Sequence, residues 1–134
     1  MTDEKLTALA TEARELSYCP YSSMAVGAAL LGKSGKVYLG ANIENASFTP
    51  TVCAERVAFF KALTEGEREF VKIAISGGPK GVPVEKSFAP CGVCRQVMSE
   101  FCQGDFEILL VGSEVERYTL NELFPASFNK ENMK

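Results

Sequence analysis

A chain of 134 residues with 46% apolar and 23% charged side chains is the size of one domain with a substantial core, which excludes extensive disorder. Its net charge of −3, with no run of lysine and arginine, argues against a nucleic-acid surface. No window approaches about 18 apolar residues, and the N-terminal stretch is charged and amphipathic; neither a membrane span nor a signal peptide is expected, and the location expected is cytoplasmic.

Asp3 to Ser17 reads as a helix, because Leu6, Leu9, Ala10, Ala13 and Leu16 recur at helical spacing. Thr2 or Asp3 caps it, and Pro20 stops it. The apolar run 24–32 and the segment 36–44, joined by Lys33-Ser34-Gly35, read as a hairpin, its first strand apolar on both sides and therefore central. A helix is expected over 52–66, with Thr51 as N-cap and Gly66 as C-cap, then a strand over 70–76. The loop up to Pro90 is long for a compact domain, the kind of segment that shapes a site. A helix over 91–102, a strand over 105–112, an edge strand at "ERYTL" and a short helix broken by Pro125 complete the chain.

The order α-β-β-α-β-α-β-β predicts a mixed five-stranded sheet with helices on both faces, a three-layer αβα sandwich of the α/β class. A single domain is expected over 1–134, with a polar tail from about residue 129 that frays.

Five cysteines stand at 19, 53, 91, 94 and 102, and there is no histidine. An odd count in a reducing compartment points to metal or catalysis rather than a disulfide framework. The C-x₂-C pair at 91/94 matches one half of many zinc sites and also a dithiol redox pair. The redox reading is weaker, because that motif opens the helix after a first strand and this one comes later. Cys53 also opens a helix, where free N–H groups and the dipole favour a thiolate. Two helix starts meeting would bring three sulfurs together. Cys102 lies about 12 Å along the helix from Cys94 and reads as core. Cys19, in a loop, is the open question: with it the site is a closed structural Cys₄, and without it the fourth position is free for water. Glu55, in the first helical turn, is placed to move protons at such a site, or else simply complements the helix dipole. Arg56 either offsets the charge of the thiolates or is a solvated helix residue.

"CAER" at 53–56, "PCGVCRQ" at 90–96, "PYSSMAVGAALL" at 20–31 and "GANIENAS" at 40–47 together resemble the cytidine deaminase family of the small homotetrameric, zinc-dependent kind. The resemblance runs from the first helix to "LFPASF" and implies a cytidine deaminase-like fold. It implies one Zn²⁺ per subunit on Cys53, Cys91 and Cys94, a third thiolate standing where other branches use an imidazole. It implies that Glu55 passes a proton from water to ring N3, that C4 is attacked, and that ammonia leaves cytidine or deoxycytidine in pyrimidine salvage. Arg56 is implied to neutralise thiolate charge, Asn42 and Glu44 to hold the ribose hydroxyls, and the Ala54 amide to meet the pyrimidine O2. Phe128 is implied to close over the base of a neighbouring subunit in the homotetramer. Neither a nucleic-acid polymer nor a membrane is an expected partner.

The chain departs from the family pattern at Met24, where phenylalanine is usual and a softer wall results, and at Phe48, where tyrosine is common. Two readings stay open beside the main one. An aminonucleoside deaminase of the blasticidin type shares "CAE" and the paired cysteines, although "NIEN" favours ordinary ribose. A non-enzymatic Cys₄ module would need Cys19.

Overall fold

The computed structural model describes residues 1–134. The strands are β1 (Met24–Gly32), β2 (Val37–Ala41), β3 (Phe70–Pro79), β4 (Glu107–Val111) and β5 (Val115–Thr119), and the helices are α1 (Asp3–Ala13), α2 (Ala54–Thr64), α3 (Gly92–Phe101) and α4 (Leu120–Leu123). They form one five-stranded sheet in the order β2-β1-β3-β4-β5. β1 is antiparallel to both β2 and β3, β3 is parallel to β4, and β4 is antiparallel to β5. The mixed sheet and the central place of the all-apolar first strand are as the sequence predicts.

Alternation along the strands divides the core in two. Ala28, Leu30, Ile73, Ile75, Ile108 and Leu110 face one side, against Ala58, Phe59 and Ala62 of α2 and Met98 of α3. The intervening Ala29, Leu31, Ala74 and Leu109 face the other side, where Leu6 and Ala10 of α1 cover them. Helices thus cover both faces, giving the three layers. The Asp3 carboxylate fixes the start of α1 to the sheet through Lys72, at 2.9 Å, and Arg117.

Three local expectations are corrected. The first helix ends at Ala13 and continues as a 3₁₀ turn, Arg14–Leu16. That tightening swings Leu16 off the buried stripe, and it is 66% exposed. The residue preceding α2 is Cys53, not Thr51, which lies two positions farther out. The second strand is shorter than 36–44: beyond Ala41 the chain leaves the ladder, and Ile43 makes single bridges to Tyr18 and Val52. That departure frees Asn42 and Glu44 for other work. The tail winds into an exposed 3₁₀ turn, Lys130–Met133, started by the Asn129 side chain.

Gly40 lets α2 lie directly on β2. A Cβ there would sit 2.3 Å from the Ala54 carbonyl oxygen and 2.6 Å from the Ala58 nitrogen, so the start of α2 must move to admit it. Gly40→Ala is expected to destabilise the chain by about 1–3 kcal/mol and to displace Cys53, weakening metal retention. Denaturant unfolding and metal analysis of the same preparation check both effects; an unchanged midpoint with full metal content refutes the prediction.

Candidate metal centre

Two helix starts converge. Cys53 immediately precedes α2 and Cys91 immediately precedes α3, and neither side chain bonds back to its own helix. Both sulfurs therefore lie where unpaired N–H groups and the positive end of the helix dipole favour a thiolate. Cys94, in the first turn of α3, is buried. Cys53 Sγ and Cys91 Sγ are 3.7 Å apart, and Cys91 Sγ lies 3.5 Å from Cys94 Sγ. All three atoms fall within 4.8 Å of one another. A tetrahedral zinc with sulfurs at about 2.3 Å separates them by about 3.8 Å, so this donor set fits that ion with only a small closure. No fourth histidine, cysteine or carboxylate joins the group, and Cys19 and Cys102 stand outside it. The closed Cys₄ arrangement is therefore not built, and Cys102, its thiol pushed up to about 12 by burial, packs against the core as expected.

The charges around the sulfurs follow from burial and hydrogen bonding. Among the bare thiols, a hydrogen bond from Cys94 draws Cys53 down to about 5, against the opposing effect of burial and with help from Arg56 and Cys91. Cys94 is held up by its hydrogen bond to Cys53, by burial and by the nearby Glu55. The thiolate is favoured at Cys53, the sulfur beside Arg56 at a helix start. Arg56 Nη2 lies 3.6 Å from that sulfur and 3.5 Å from the Thr51 carbonyl oxygen. Its Nε is buried without an acceptor, so the guanidinium has donor capacity to spare beside the sulfurs. A metal bound as a tris-thiolate would supply the matching negative charge. Glu55 is 2% exposed, and desolvation is the main cause lifting its carboxyl to about 7, with the Cys53 charge adding to the rise.

Beside the sulfurs lies a cavity of about 320 Å³. Cys53, Ala54, Glu55 and Cys91 form one part of its lining, and Asn42, Glu44 and Ser22 another. Met24, Val26, Val52 and Phe88 supply apolar wall. The Asn42 amide is almost fully engaged: Oδ1 accepts from Val26 N at 2.9 Å and Ser17 Oγ at 2.6 Å, and Nδ2 donates to the Met24 carbonyl at 2.8 Å. The Glu44 carboxylate accepts from the Ser22 hydroxyl and from the Tyr21 and Ser22 amides, bonds that hold it below the usual carboxylate range although partial burial opposes them.

The pattern described as the cytidine and deoxycytidylate deaminase zinc-binding region matches residues 1–109. The cytidine deaminase of Sporosarcina psychrophila is 45% identical over 99% of this chain and 96% of its own length. That of Halalkalibacterium halodurans is 46% identical over 99% and 98%. The crystal structure of cytidine deaminase from Burkholderia pseudomallei superimposes with a TM-score of 0.87 at 43% identity, over 96% of this chain and all of the other. The chain belongs to the cytidine deaminase family.

As a family member it is a zinc-dependent hydrolase, with Cys53, Cys91 and Cys94 positioned to bind the metal. Of the other residues singled out in the sequence, the deaminase fold brings Met24, Asn42, Glu44, Ala54 and Glu55 to the same cavity. Arg56 lies behind the sulfurs. Phe128 does not reach the cavity of its own chain; it is 61% exposed, with its carbonyl held by Gln96 Nε2 at 2.9 Å. Sequence reasoning missed Val26, Val52 and Phe88 as wall residues and Ser22 as the partner of Glu44. Ser22 and Val26 stand inside the "PYSSMAVGAALL" block and Phe88 in the long loop before Pro90, the only signals these residues carried. In the deaminase the Phe88 ring packs on Gly77, where a Cβ would lie 2.6 Å from the ring.

Proposed function

We propose that this enzyme hydrolyses cytidine and deoxycytidine to uridine and deoxyuridine with release of ammonia, in cytoplasmic pyrimidine salvage. The observation that carries the reading is a buried Glu55 carboxyl beside three sulfurs, in one cavity with an amide and a carboxylate suited to a sugar hydroxyl. Asn42 keeps a single unused N–H, because its other three bonding positions are taken, and Glu44 can only accept. A group that both accepts and donates satisfies the pair, and a ribose hydroxyl does so.

Zinc, when bound by Cys53, Cys91 and Cys94, supplies the Lewis acidity that lets water act as a nucleophile near neutral pH. Glu55 takes a proton from that water and delivers it to ring N3; a second transfer releases the exocyclic nitrogen as ammonia. Across the reaction the C4–N bond breaks, a C4–O bond forms, and one water is consumed. Burial raises the proton affinity of the Glu55 carboxyl above that of an ordinary carboxylate, which suits it to hold a proton as well as to take one. The Ala54 N–H, at the first position of α2, has no acceptor within its helix and is free for the pyrimidine O2. Arg56 offsets the tris-thiolate charge that would otherwise weaken activation of water. Met24 gives the ring a pliable wall. The exposed Phe128 and Phe48 become covered in a homotetramer, where Phe128 closes the cavity of a neighbouring subunit.

The test is an ammonia assay on protein with one zinc per chain, offered cytidine, deoxycytidine and blasticidin S in turn. Turnover of both nucleosides, well above that of the antibiotic, is expected. Zinc-loaded protein that releases no ammonia from either nucleoside overturns the proposal.

A further inference from the structure

Arg14 stands outside the metal centre and makes no ion pair. It follows α1 directly, at the start of the 3₁₀ turn. Its guanidinium donates instead to carbonyl oxygens of segments remote in sequence. Nε reaches Ala25 of β1 at 2.9 Å, and Nη2 reaches Gly78 at 3.2 Å and Pro79 at 2.9 Å at the end of β3. Nη1 reaches Val82, in the loop beyond, at 3.1 Å. Four of the five N–H donors of the side chain are thus committed to backbone.

Those carbonyls do not line the cavity beside the sulfurs; Arg14, Ala25 and Val82 line a separate one, and they act on the first only through their chain neighbours. Ala25 lies between Met24 and Val26, both wall residues, and pairs with Gly78 in the β1–β3 ladder. Gly77, the next residue along, is the seat of the Phe88 ring. The ladder ends at Met24 and Pro79, and the chain then turns on Gly81 at a φ of +78°. Only two backbone bonds hold that turn: Lys80 N to the Ser23 carbonyl at 2.8 Å, and Val82 N to the Pro79 carbonyl at 3.1 Å. Ser23 itself stands at a φ of +60°, a conformation that costs a non-glycine residue energy unless its surroundings impose it. Ser23 is held directly by its own backbone bonds to Cys19 and Lys80, and the Arg14 fork ties together the strand ends on either side of it.

We propose that Arg14 is a positioning residue for the substrate cavity: by gathering the carbonyls of Ala25, Gly78, Pro79 and Val82 it sets the spacing between the Met24–Val26 wall and the loop that carries Phe88. The proposal rests on the deaminase reading of that cavity. It concerns binding of the nucleoside, not proton transfer, because Arg14 touches neither Glu55 nor the sulfurs. Lysine is a poor substitute, since a compact ammonium cannot address carbonyls on three sides in one plane.

The experiment compares wild type, Arg14→Met and Arg14→Lys, each loaded with zinc. KM for cytidine is expected to rise on the order of tenfold in Arg14→Met with kcat changed much less, and Arg14→Lys to recover only part of the loss. Zinc content should stay at one per chain. A KM rise of threefold or more supports the assignment. A smaller rise, even with a lowered melting temperature, assigns Arg14 to stability alone and overturns it. If Arg14→Met does not fold, Arg14→Lys carries the same threshold. If the wild type turns over no nucleoside, the deaminase reading fails separately, and amide hydrogen exchange decides this one. Faster exchange at Lys80 and Val82 in Arg14→Lys, with α1 unchanged, supports the clamp, and equal exchange overturns it.

Discussion

Glu55→Gln is expected to lower kcat for cytidine by at least about 10³-fold while the protein keeps its full complement of zinc. Glutamine preserves the volume of the buried side chain and part of its hydrogen bonding, but it can neither take nor return a proton. The same change should leave the metal-free protein more stable, not less. The Glu55 carboxyl is raised from an ordinary 4.5 to about 7, mainly by burial. Below about 4.5 the group is protonated in both the folded and the unfolded chain and has no effect. As the pH rises between those values the unfolded chain releases its proton and the folded chain does not, so folding loses stability. Above about 7 the full cost applies, on the order of 3–4 kcal/mol. Glutamine has no such titration. Chelator-treated wild type and Glu55→Gln should therefore unfold at similar denaturant concentrations near pH 4.5, and the variant should unfold later at pH 7.5. Retained turnover in the zinc-loaded variant would remove Glu55 from the chemistry. Parallel stability curves across that range would mean that the fold does not raise the Glu55 carboxyl at all.

Removing one sulfur of the cluster is the second large effect. Apparent binding free energies of about 10–16 kcal/mol for zinc at cysteine-rich sites imply several kcal/mol per ligand. Cys53→Ala and Cys91→Ala should each weaken zinc by at least about 10³-fold and abolish turnover. Cys102→Ala, outside the cluster, should keep the metal, and so should Cys19→Ala. Metal analysis after exhaustive dialysis gives the first readout. The second is thermal unfolding with and without chelator: chelation should lower the wild-type midpoint and leave that of Cys53→Ala unmoved. A Cys53→Ala protein that still holds stoichiometric zinc, or a Cys19→Ala protein that loses it, contradicts the three-sulfur centre. The comparison also separates an open catalytic site from a closed structural one, because only the closed one needs Cys19.

The elements were legible where one local signal ruled. Strand β1 announces itself as central because "MAVGAALLG" is apolar on both faces, and α1 because leucines and alanines recur at helical spacing. Leu16 misled for a physical reason: it fits the helical stripe, but Arg14 turns its guanidinium toward Ala25 and the end of β3 while the backbone tightens to 3₁₀ there, leaving Leu16 in solvent. Thr51 misled because a good capping side chain stands two positions before a cysteine that takes the place immediately before α2. Asn42 was singled out through the family resemblance, and it lines the cavity, but its structural bonds were not legible. Its bonds to Val26, Met24 and Ser17 exist only once β1, β2 and the end of the first helical segment are side by side. Arg14 left no trace in the sequence, since every group it binds is a backbone carbonyl, which all residues share.

By itself the sequence determined the kinds of atom available and the short-range order in which they come: cysteines opening two helices, a glutamate and an arginine one and two positions from an alanine, and no imidazole. Those properties belong to residue types and to spacing along a few turns, and they survive any packing of the chain. The tertiary structure alone decided that sulfurs from residues 53 and 91 lie 3.7 Å apart, that Cys19 stays away, and that Glu55 is buried at the cavity wall. Distance between remote segments and loss of solvent are set by how the sheet and its two helical layers close on each other. No local pattern encodes them, and both the metal preference and the proton affinity of the site depend on them.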